Sequence, residues 1–155
     1  MKILVIGSGA REHALCYIIS KSSMVSSIYA IPGNYGISQL AECEQIDQTD
    51  FEKIYDFCKI KMIELVIVGP EVPLVAGIVD FFRETEIKIF GPDKYASQLE
   101  GSKGFMKDLC KQNRIPTADY ARFNNKEEAI NYLNTQPLPI VIKADGLAAG
   151  KGVTV

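Results

Sequence analysis

The chain has 155 residues, 17 Lys and Arg against 19 Asp and Glu, one histidine and four cysteines. A net charge of −2 gives no electrostatic case for nucleic acid or an anionic membrane, and no apolar run is long enough to span a bilayer. Cys16, Cys43, Cys58 and Cys110 form no CxxC pair, so reduced thiols in a cytoplasmic protein are expected and a zinc site is not.

Lys2 to Ile6 is an apolar run rich in branched side chains that breaks on Gly7-Ser8-Gly9 and resumes in helical spacing. A buried parallel strand enters a tight turn and feeds a helix in this way. The first helical turn leaves backbone N–H groups unpaired, and the helix dipole adds partial positive charge there. Arg11, Glu12 and His13 stand at the same mouth. Gly7 and Gly9 fit a dinucleotide fingerprint, but its third glycine is replaced by Glu12. The acid expected roughly 20 residues further on to hold a ribose is also missing. A nicotinamide dinucleotide is therefore disfavoured. The turn could also do no more than close the strand–helix corner.

Ala14, Leu15, Ile18 and Ile19 predict an inner helical stripe, and Ile28 to Ile31 a second strand ending in Pro32-Gly33-Asn34. Thr49 to Glu52 reads as a capping box opening a helix with Phe51, Ile54, Tyr55 and Cys58 inward. Leu65 to Val68 is a third strand ending in Gly69-Pro70-Glu71, followed by one helix with Leu74, Val75, Ile78, Val79 and Phe82 on its inner face. Ile87 to Phe90 is a fourth strand. Alternation of this kind predicts an open parallel α/β sheet with helices on both faces and ligands outside the carboxyl ends of its strands. Three Gly-containing loops fall at such ends, with Glu71 as an acid suited to a hydroxyl or an amine, or else as a solvated loop carboxylate or a helix cap.

Near Gly101 the rhythm changes and a domain boundary is expected, giving domains over 1–101 and 102–155. Ser102 reads as a helix N-cap, and Asn125 to Glu128 caps a short helix with Ala129, Ile130 and Leu133 inward. The chain closes on a strand ending in Lys143, a small-residue loop from Gly146 through Gly150-Lys151-Gly152, and a returning strand. This is not a Walker A loop: the spacing is one short, and Gly152 stands where a Ser or Thr would hold Mg²⁺. A strand–loop–strand flap can fold backbone N–H groups and Lys151 over a triphosphate while Lys143 reaches a phosphate from below. The plain alternative is a flexible hairpin with solvated lysines.

Five blocks carry a family resemblance: Gly7-Ser8-Gly9-Ala10-Arg11-Glu12-His13-Ala14; Pro32-Gly33-Asn34; Val68-Gly69-Pro70-Glu71 with Pro73 to Ile78; Gln98 to Lys103; and Ile142 to Val153. The chain resembles the N-terminal part of the glycinamide ribonucleotide synthetase family of ATP-grasp ligases. The resemblance implies a Rossmann-like pre-ATP-grasp domain followed by the start of an ATP-grasp domain. It implies ligation of glycine to 5-phosphoribosylamine with ATP, through glycyl phosphate, in purine biosynthesis. Gly7, Ser8, Gly9, Arg11, Glu12, Asn34 and Glu71 would bind phosphoribosylamine. Lys103, Lys143, Gly146, Gly150, Lys151 and Gly152 would bind ATP. Mg²⁺ or Mn²⁺ would take ligands beyond Val155, none being assigned within this chain. Small-molecule substrates and a monomer are implied, and the 155 residues, read as a fragment, are not expected to catalyse alone. Ala10 replaces a usual third glycine, which is harmless if that position is already helical. A stand-alone nucleotide-binding module and a dinucleotide oxidoreductase domain are the competing readings.

Overall fold

Strand β1 (Lys2–Gly7) is buried along almost its whole length, as a strand covered on both faces must be. Its central position follows. The parallel sheet has the order β3-β2-β1-β4-β5, with β2 at Ser27–Pro32, β3 at Glu42–Cys43, β4 at Leu65–Val68 and β5 at Lys88–Phe90. The computed structural model describes residues 1–148 and 151–155. Side chains alternate across the pleat. Leu4 and Ile6 join Tyr29, Ile31, Val66 and Val68 in one buried cluster, while Ile3 and Val5 join Ile28, Ala30 and Cys16 in another. The register sets Ile6 beside both Ile31 and Val68, so the chain leaves β1, β2 and β4 at one level. The two-residue edge strand β3 was not expected; it is too short to show an alternation pattern.

Helix α1 (Ala10–Ile19) covers the Ile3/Val5 face. Its inner line differs from the stripe expected from sequence. Glu12 and Cys16 are buried, Ile19 packs against the core, and Ile18 is 62% exposed. Positions four and then three apart define that line, and it begins with an acid that a hydrophobicity pattern skips. Ala10 is the first helical residue, so it carries no left-handed strain.

Helix α2 (Phe51–Lys61) lies on the other face with Ile54, Phe57 and Cys58 buried. The expected Thr49 to Glu52 box is not formed. Asp50 is the N-cap, accepting from the Lys53 N–H at 3.2 Å, while the Thr49 hydroxyl donates to Asp47 at 2.6 Å. Aspartate caps at least as well as threonine and stands one residue nearer the helix. The single helix expected after β4 is two, α3 (Glu71–Ala76) and α4 (Ile78–Arg83). They break at Gly77, whose φ of +103° lies where side-chain-bearing residues are strained.

The chain divides into two units, Met1–Ser97 and Gln98–Val155, a few residues before the expected boundary; helix α5 spans Lys94–Gly101. In the second unit Ser102 caps α6 (Lys103–Gln112) by accepting from the Phe105 N–H at 3.1 Å. Asn125 caps α7 (Lys126–Leu133) by accepting from Glu127 and Glu128 N–H groups. Strands β6 (Ile142–Lys143) and β7 (Val153–Thr154) pair antiparallel, with Lys143 opposite Val153. The expected inward face of α7 is not buried: none of its residues is, and Ile130 is 45% exposed. Two short strands offer too little apolar surface to cover a helix face.

Candidate functional site

In the first unit, three loops meet at the carboxyl ends of β1, β2 and β4. The link to the second loop is Asn34. Its Nδ2 donates to the Ser8 carbonyl at 2.7 Å, and its Oδ1 accepts from the Ile37 N–H at 2.8 Å. The link to the third is an ion pair, Arg11 Nη2 to Glu71 Oε1 at 2.9 Å. His13 lies over Gly36, where an added Cβ would sit 2.9 Å from the imidazole. Ser8, Gly9, Arg11 and Asn34 are exposed around this mouth.

Glu12 is placed differently from its neighbours. It is 3% exposed and turns inward under the loop. Its Oε2 accepts from the Gly9 N–H at 2.6 Å, and its Oε1 is buried with no hydrogen-bond partner. Added Cβ atoms on Gly7, Gly9 and Gly69 would all lie within 3 Å of its carboxyl end. The glycines of two loops are therefore the space that Glu12 fills, which is a packing reason for them independent of any ligand. The missing third fingerprint glycine has the same cause, since this helix meets its sheet through a carboxylate. The mouth, with Glu71 beside it, suits hydroxyls and an amine as well as a phosphate.

Glu71 is held below the usual carboxylate range, first by its own backbone N–H and then, against the opposing effect of partial burial, by Arg11. It stays ionised through the neutral range. The Cys16 thiol is pushed up to about 11 by burial, with Cys43 and Glu12 adding to the shift, so it is protonated and unreactive at neutral pH.

In the second unit, Lys143 on β6 and Lys151 before β7 are exposed. Gly146 and Gly152 take φ of +91° and +82° at the two ends of the flap. The Ala144 N–H donates to the Gly152 carbonyl at 2.8 Å and closes its base. Gly150 lies outside the described residues. Lys103 is not turned loose toward a phosphate: its Nζ donates to the Gly146 carbonyl at 2.8 Å.

Sequence reasoning passed over Asp145. Its carboxylate accepts from Ser102 Oγ at 3.0 Å, from the Lys103 and Gly104 N–H groups at 2.7 and 3.3 Å, and from the Gly146 N–H at 2.9 Å. Arg122 reaches it at 3.5 Å and pairs with Asp108, which also accepts from the Tyr120 hydroxyl. Partial burial works to raise the Asp145 pKa, but the N–H and hydroxyl donors outweigh it and hold the group below the usual range. The signal that could have found it is the Ser102 cap, because a helix N-terminus attracts a nearby carboxylate. Nothing in the spacing says which carboxylate arrives. Among the described residues, no group of three or more His, Cys, Asp or Glu side chains could hold a metal ion, and none of the helices is long and apolar enough to cross a membrane.

Two family models divide the chain between them. The phosphoribosylglycinamide synthetase N domain matches residues 1–100, and the ATP-grasp (A) domain of the same synthetase matches residues 101–155. A phosphoribosylamine–glycine ligase of Mesorhizobium japonicum is 56% identical over the whole chain, which spans 36% of that relative. A crystal structure of the Thermotoga maritima phosphoribosylamine–glycine ligase matches with 30% identity and a TM-score of 0.74, covering 99% of this chain and 35% of that one. An N5-carboxyaminoimidazole ribonucleotide synthetase in complex with ADP has a TM-score of 0.77 at 17% identity, over 98% of this chain and 40% of its own, and shares the fold. The chain belongs to the phosphoribosylglycinamide synthetase family and spans little more than a third of the length of the curated relatives it matches.

Proposed function

We propose that this chain supplies the phosphoribosylamine-binding loops and the first ATP-contacting segment of an enzyme that ligates glycine to 5-phosphoribosylamine. The products are glycinamide ribonucleotide, ADP and phosphate, with glycyl phosphate as intermediate. The observation that carries the reading is the meeting of three strand-end loops, tied by Asn34 to Ser8 and by Arg11 to Glu71. A mouth with both charges and exposed backbone suits a ligand that is at once a sugar phosphate and an amine. Gly7, Ser8, Gly9, Arg11, Asn34 and Glu71 would line it, and Glu12 would hold its shape from beneath.

Lys143 and Lys151 would contact the phosphates of ATP, with Gly146 and Gly152 as the bending points of a lid; Gly150 keeps its proposed role there. Lys103 would join them once released from Gly146, or act through that bond by placing the lid. Cationic side chains and backbone donors stabilise charge that spreads over the transferred phosphoryl group. A closed lid would keep water from an acyl phosphate. Among the described residues no group of three or more His, Cys, Asp or Glu side chains could hold Mg²⁺ or Mn²⁺.

The test is ADP release by the full-length protein. It should require glycine and phosphoribosylamine together. Release that is indifferent to either one would remove the proposal.

A further inference from the structure

We propose that Asp145 is a positioning residue for the phosphate lid, clamping the lid's root onto the first turn of α6 so that Lys143 and Lys151 are presented to a nucleotide at a fixed height. The inference rests on reading Gly146 to Gly152 as that lid.

A carboxylate one residue before a triphosphate-binding loop is an unfavourable neighbour, because like charges repel. Here its charge is directed elsewhere. Ser102 Oγ and the Lys103 and Gly104 N–H groups all donate to it. These groups belong to the N-cap and first turn of α6, where the helix dipole favours a negative charge. Arg122 adds a cation on Oδ2, the oxygen that Ser102 also donates to. The guanidinium lies close against Gly104, where an added Cβ would fall 2.2 Å from its central carbon. A second tether runs the same way, from Lys103 Nζ to the carbonyl of Gly146. Residues 145 and 146 are thus held to one helical turn by four donors that the N-cap and first turn of α6 supply. The lid begins at Gly146 itself, next to the clamped Asp145, with φ of +91° and open space where a side chain would go. A fixed root beside a permissive hinge is the arrangement a lid needs.

Asp145→Asn separates the alternatives by sign. If Asp145 only repelled phosphate, the substitution would tighten ATP. If it positions the lid, loss of charge-assisted hydrogen bonds should raise the KM for ATP by about tenfold in the full-length protein. The KM values for glycine and phosphoribosylamine should then be unchanged. Bound ATP should protect Lys151 from trypsin in the parent protein and fail to do so in the variant. An unchanged or lowered KM for ATP overturns the proposal. Should Asp145→Asn not fold, Arg122→Gln withdraws one donor only and is expected to raise the KM for ATP by about two- to threefold; no change overturns the proposal equally. Lys151→Ala keeps the two readings apart. If it leaves the KM for ATP unaltered, the lid reading itself fails. If Lys151→Ala weakens ATP and Asp145→Asn does not, only the clamp fails.

Discussion

The two units of this chain are held together by different forces. In Met1–Ser97, side chains such as Leu4, Ile6, Ile31, Val66 and Phe82 are shut between a five-stranded sheet and its helices. In Gln98–Val155, no described hydrophobic side chain is buried. Its order comes instead from capping groups and carboxylates: Ser102, Asn125, Asp108 and Asp145. The difference bears on function. Loops at the ends of packed strands inherit the rigidity of the core beneath them. On the proposed reading of residues 146–152 as a lid, a root fixed by a handful of hydrogen bonds would answer to charge.

The largest expected effect is on independent folding. A polypeptide of residues 1–101 should unfold cooperatively in urea, whereas residues 98–155 alone should show no cooperative transition by circular dichroism. A sharp transition in the second would break the comparison. Next, Phe82→Ala should destabilise the first unit by about 3–5 kcal/mol, while Leu133→Ala on α7 should cost less than about 1 kcal/mol; chemical denaturation of each reads this directly.

Two glycines sharpen the contrast further. Gly9 has φ of −90°, so an alanine there meets only the Glu12 carboxylate, 2.8 Å from the added Cβ. Gly9→Ala should cost about 1–3 kcal/mol, and most of that cost should vanish in a Glu12→Ala background. Gly146→Ala meets no neighbour but must adopt a left-handed φ, costing about 1–2 kcal/mol whatever its surroundings. The double-mutant cycle separates packing from backbone strain.

The smallest effect is on pH dependence. Asp145 has a folded pKa below the ordinary aspartate value. Its contribution to stability is therefore complete above about pH 4 and is lost as pH falls through the folded value. The difference in melting temperature between the parent and Asp145→Asn should stay level from about pH 8 to 5 and shrink below about pH 4. A difference that changes near neutrality would contradict this assignment.

The first unit was largely legible because its strands are continuous apolar runs and its loops carry glycine and proline. Leu65–Val68 was read to the residue. The register that levels Gly7, Pro32 and Gly69 follows from parallel pairing. What escaped notice was set by contact rather than pattern. The break at Gly77 looks like a helix position until its φ is known. Glu12 is buried among the glycines of two loops, a placement that no spacing in the sequence announces. The second unit was legible at its caps, where Ser102 and Asn125 act locally, and illegible at Asp145, whose partners in α6 lie some forty residues earlier.

The most direct test of this division of labour is a paired KM measurement on the full-length protein carrying Asn34→Ala or Lys143→Ala. Asn34→Ala should raise the KM for phosphoribosylamine alone and Lys143→Ala the KM for ATP alone, each by about tenfold. If both substitutions shifted the same substrate, or neither shifted its own, the assignment of sugar phosphate to the strand-end loops and of nucleotide phosphates to the lid would be contradicted.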